Sequence, residues 1–216
     1  MDREEAMEMI LSVFSDAKYP TIPDELFDVF LKFGITLLDG GNNKVQRTIY
    51  NYCISMPRSE FMFKRFYTFI SNQIRELKAE DEILIGDDPE SYKKFIDDFY
   101  SKESEEKMDK SEQLKAKILE KLLRFLQLFT EGHYLELQNY VRFQKNKSNS
   151  YDLVAIISEL LLVYSSSMAH KDYENIIKCL DTLTEFVQGP CPDNQLALID
   201  GKFLDVAYKI LSVIFR

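Results

Sequence analysis

Two segments of this 216-residue chain place acids and amides where they could hold a cation. In LTEFVQGPCPDNQ, Leu183 to Gln195, Glu185 and Gln188 are neighbours on the last turn of a helix. Gly189 can take the left-handed conformation that closes that helix, and Pro190 cannot continue it. Carboxylate and amide oxygens suit a hard cation, and the unpaired carbonyls of a helix end add to the negative field there. A second segment, LLRFLQLFTEGHYLELQNYVR over 122–142, holds Glu131-Gly132-His133 at another helix end. The residue types alone leave a plainer reading open, that of polar helix termini facing solvent.

Other chemistries find little support. Nucleophilic catalysis needs a positioned base, and the only histidines are His133 and His170, the latter in a loop after Ser165-Ser166-Ser167. There is no phosphate-binding glycine loop and no zinc-binding HExxH. Asp87-Asp88-Pro89-Glu90 lacks the alternating ligands, central glycine and distant glutamate of an EF-hand. Cys53, Cys179 and Cys191 are odd in number without CxxC spacing, so they read as reduced, packed thiols. A net charge of −9 argues against nucleic acid and anionic membrane surfaces. The expectation is a non-enzyme with no catalytic residues.

The elements that position these residues read as helices throughout. Seven glycines and six prolines are few for a turn-rich β fold, and apolar residues recur at helical spacing. Ala6, Ile10, Leu11 and Phe14 share a face, as do Phe27, Phe30, Leu31 and Ile35, and Phe63, Phe66, Tyr67 and Ile70. Helices are also predicted over Tyr151–Ser165, Tyr173–Gln188 and Phe203–Arg216. Between 80 and 112 stand 13 acids against five lysines, a solvated connector with a short helix expected near Tyr92–Tyr100. Three regions follow: an N-terminal helical lobe at 1–78, an acidic, partly disordered connector at 79–112, and a second helical lobe at 113–216. The predicted fold class is all-α, an armadillo-like helical solenoid or an irregular helical bundle. No signal peptide is expected, and no stretch approaches the apolar length of a membrane span.

LLRFLQLFTEGH followed by LQNYVR, then LTEFVQGPC and NQ, resembles the C-terminal cytosolic helical region of the ryanodine and inositol trisphosphate receptors. That region is often called the RIH-associated domain. Leu37-Leu38-Asp39-Gly40-Gly41-Asn42, Val45-Gln46 and the aromatic run Phe61 to Phe69 fit the same pattern. The resemblance covers about residue 30 to about 212 and fails over 79–112 and the first twenty or so residues. Gln195 to Asp205 looks more like ryanodine receptors, and Phe61 to Glu76 more like inositol trisphosphate receptors.

This resemblance implies a regulatory Ca2+ site. Glu131 and Glu185 match the family's carboxylate ligands, with His133 and Gln188 as near-shell groups. The remaining ligand would be a backbone carbonyl of the domain that follows the pore, so this chain supplies only part of the shell. The implied partners are that post-pore domain and neighbouring helical domains of the same channel, which is a tetramer when complete. The implied place is the cytoplasmic face of the endoplasmic reticulum or another internal calcium-store membrane. The alternative is a free-standing helical scaffold that binds a partner helix and has no channel function.

Overall fold

Side-chain caps and glycine stops divide the chain into short helices. The computed structural model describes residues 2–18, 22–84, 110–167, 172–201 and 203–214. Asp2 caps α1 (Arg3–Phe14), its Oδ1 accepting from the Glu4 and Glu5 amides at 3.0 and 2.8 Å. After α2 (Asp24–Leu38), Asn42 caps α3 (Asn43–Ser55) in the same way. A short 3-10 turn, Pro57–Ser59, leads into the long α4 (Glu60–Leu84). There follow α5 (Lys110–Thr130), α6 (Leu135–Arg142), α7 (Leu153–Ser167), α8 (Tyr173–Val187), α9 (Pro192–Asp200) and α10 (Phe203–Ile214). The described residues are 82% helical and contain no strand, as the composition and periodicity predict.

Three of these units are helical hairpins closed by left-handed turns. Gly40 and Gly41 (φ +76° and +65°) join α2 to α3, Gly132 and His133 (+79° and +62°) join α5 to α6, and Gly189 (+80°) joins α8 to α9. The hairpins stack in chain order: α2 packs on α5 and α5 on α8, while α3 meets α6 and α6 meets α9. On the other flank α4 packs against α7, which also meets α8 and α10.

One hydrophobic cluster runs from Ala6 to Ile210 and draws on residues from both sides of 79–112. Phe14, Phe66 and Phe125 meet edge-on with centroids 5.5–6.2 Å apart, and Phe129 lies 4.7 Å from Phe125. The α2–α5 approach depends on Gly34, where an added Cβ would fall 2.5 Å from Phe125 Cε2. Ion pairs add to the seams: Lys115 with Glu76 and Lys78 with Glu159 at the surface, and the part-buried Lys121 with Asp28.

α4 reaches Leu84 and α5 starts at Lys110, so the described ends of the acidic interval are helical. The rest of that interval, with the helix expected near Tyr92–Tyr100, lies outside the described residues, as does His170. No described helix is long and apolar enough to cross a membrane. All three cysteines are free and buried. Burial pushes the Cys53 thiol up to about 12, and it raises those of Cys179 and Cys191 as well.

Candidate metal centre

The three left-handed turns line one edge of the stack, and the candidate acids lie between them. Glu131 follows the last residue of α5 and sits on the first turn: a Cβ at Gly41 would lie 3.7 Å from its Cγ. Glu185, in the last turn of α8, feels the Gly132 backbone N–H of the second turn. His133 abuts the third turn, where a Cβ at Gly189 would come within 3.3 Å of its Cγ. Residues 54 positions apart (185 − 131) are thus gathered at one seam.

Electrostatics mark the seam as incomplete. Glu131 Oε2 and Glu185 Oε2 are both shielded from solvent without a hydrogen-bond partner among the described residues. The Glu185 carboxyl titrates above its ordinary value, first because burial disfavours its charge and next because Glu131 repels it. His133, Arg124 and the Gly132 N–H offset part of that cost. Two shielded carboxylate oxygens that lack donors and repel one another suit an oxygen-seeking divalent cation. They do not make a full site. Among the described residues no three His, Cys, Asp or Glu side chains are grouped to hold a metal.

Of the four residues singled out in the sequence, Glu131 lies near enough to Glu185 to repel its charge and His133 near enough to favour it, without the three forming a metal-holding group. Gln188 differs from expectation. The helix ends at Val187, and the backbone is already extended at Gln188 (ψ 139°), so its amide is not carried on the helical face beside Glu185. Its residue is exposed, and its carbonyl is already taken by Gln138.

The residues that hold the seam stand in the segments that carry the resemblance, but the sequence assigns them no role. Gln46 Nε2 donates to Leu128 O at 3.0 Å and Glu131 O at 2.8 Å. Gln138 Nε2 donates to Glu185 O and Gln188 O, both at 2.8 Å. Asn194 Nδ2 then donates to Gln138 O at 2.6 Å and Phe186 O at 2.9 Å. Gln46, Gln138 and Gln195 are each the fourth residue of the helix that follows a turn glycine, a recurrence visible in the sequence. The third departs from the first two: Gln195 Nε2 bonds Val187 O and Gly189 O of its own turn.

A family match falls on the same segment. Residues 113–211 match the family model described as RyR and IP3R Homology associated. The chain is also 33% identical, over 109 residues, to the inositol 1,4,5-trisphosphate receptor itr-1 of Caenorhabditis elegans. That match covers 46% of this chain and 4% of the receptor, so the chain spans a small part of that relative's length. Both acids and two of the three stacked hairpins lie inside the matched segment, and α2 and α3 complete the seam from outside it. Residues 113–211, a little under half of the chain, are thus similar to the RyR and IP3R Homology associated family.

Proposed function

We propose that this chain is a cytosolic regulatory module of an intracellular calcium-release channel, and that Glu131 and Glu185 supply its share of a calcium-sensing site. The observation that carries this reading is the convergence of two shielded, unpartnered carboxylate oxygens at neighbouring helix ends. When bound, calcium supplies the positive charge that two mutually repelling carboxylates lack. His133 stands next to them, while Gln188 would have to swing its exposed amide back towards Glu185. The shell is short of ligands, and a backbone carbonyl from the domain following the pore would add one. Coupling to a gate requires that the acids differ in separation or accessibility between two channel arrangements, since equal affinity for both shifts nothing.

Titration calorimetry of the whole chain with calcium tests this. The expected dissociation constant for the isolated chain is about 10⁻³ M, in the range of weak oxygen sites. Glu185→Gln and Glu131→Gln should each weaken binding by about tenfold or more with little loss of stability. Unchanged affinity in both variants would leave the seam a contact between helices. A second reading, a scaffold that docks a partner helix, is favoured by one observation. α10 exposes Leu204, Tyr208 and Leu211 along one stripe while burying Val206 and Ile210.

A further inference from the structure

The two acids stand on helix ends that are clamped by the same device. In each case a wholly buried glutamine from the second helix of one hairpin reaches the first helix of the next. It gives its side-chain N–H groups to carbonyls that the end of a helix leaves unpaired. One of those carbonyls belongs to the acid itself: Glu131 O accepts from Gln46, and Glu185 O from Gln138. Gln138 is tethered in turn by Asn194, which also bonds Phe186 O next to Glu185. The clamp is not optimised for stability. Gln46 Oε1 and Gln138 Oε1 are shielded and unpartnered, a cost that an apolar side chain of similar length would avoid.

We propose that Gln46 and Gln138 are positioning residues of the cation site, fixing the helix ends that bear Glu131 and Glu185 against the preceding hairpin so that the two carboxylates face one seam. The cation part rests on the function proposed above; the positioning of the helix ends does not. Groups that orient ligands in this way commonly change metal affinity by about tenfold or more when removed.

Two measurements on the full chain separate the parts. Without metal, amide hydrogen exchange in Gln138→Met should rise by about tenfold at Gln188 and Cys191 while amides of α1 keep their protection. With calcium as the titrant, Gln138→Met and Gln46→Met should each weaken binding by about tenfold. Tyr140→Phe is the control, since it removes a buried hydrogen bond to Cys53 O from the same helix as Gln138 without touching either acid. It should lower stability and leave calcium affinity unchanged. If Gln138→Met does not fold, Gln138→Asn keeps the amide but shortens its reach and should give the same pattern. Exchange that stays unchanged, or that rises uniformly as in Tyr140→Phe, overturns the clamp whether or not calcium binds. Calcium affinity lost in Glu185→Gln but intact in Gln138→Met overturns the positioning role and leaves the functional reading standing. A wild-type chain that binds no calcium overturns the functional reading and the cation part of this proposal, and exchange alone then decides the clamp.

Discussion

Glu185 is a half-buried acid whose charge is opposed by burial and by Glu131. Its folded state therefore holds the proton more tightly than the unfolded chain does. Such a group favours folding fully below its ordinary value of 4.5, and that contribution is lost as pH rises through the higher folded value. Glu185→Gln has no charge to desolvate. Denaturant unfolding should therefore find the variant gaining stability relative to wild type between pH 4 and pH 7. Solvent screening of the half-exposed carboxylate keeps the gain below about 1 kcal/mol. A variant whose relative stability does not change with pH would show that the repulsion at the seam is not felt in solution.

At the scale of elements, the fold depends on how closely α2 and α5 approach. Gly34 faces the Phe125 ring, and that ring is held by Phe14, Phe66 and Phe129, so it cannot easily retreat. Gly34→Ala would ordinarily strengthen a helix, yet here overpacking should dominate and cost about 1–3 kcal/mol. Thermal unfolding of Gly34→Ala gives the sign directly. Much of this layer was legible beforehand. Apolar spacing placed α1, α2, α4, α7 and α8, and Gly189 and Pro190 marked the stop that the structure shows. α9 was not anticipated, because it starts at a proline without a side-chain cap and leaves Leu196 and Ile199 exposed. The acids were legible as residue types at helix ends. Local spacing does not bring them together; the resemblance implies their meeting, and the structure supplies its cause in Gln46 and Gln138 bonding backbone carbonyls far along the chain, which no local period encodes. A helix running one residue past Val187 would set Gln188 beside Glu185; α8 stops short of it.

Over the whole molecule, apolar contacts cross the acidic interval rather than stopping at it. α2 packs on α5 and α4 on α7, all within one buried cluster. Melting either half would strip the other of its partner face, so calorimetry should record one cooperative transition with matching calorimetric and van't Hoff enthalpies. Two separated transitions would show that residues 1–78 and 113–216 hold together independently. The segment matched by the family model, taken alone, would bare to water the Phe125 face that Phe14, Gly34 and Phe66 cover and should aggregate. The buried thiols have a practical consequence for following motion at the turn edge. Alkylation requires an accessible thiolate, and Cys53, Cys179 and Cys191 offer none near neutral pH. The chain is therefore chemically silent towards maleimide reagents, and a cysteine introduced at the exposed Gln188 would be the one position to take a fluorophore without stripping the native thiols first.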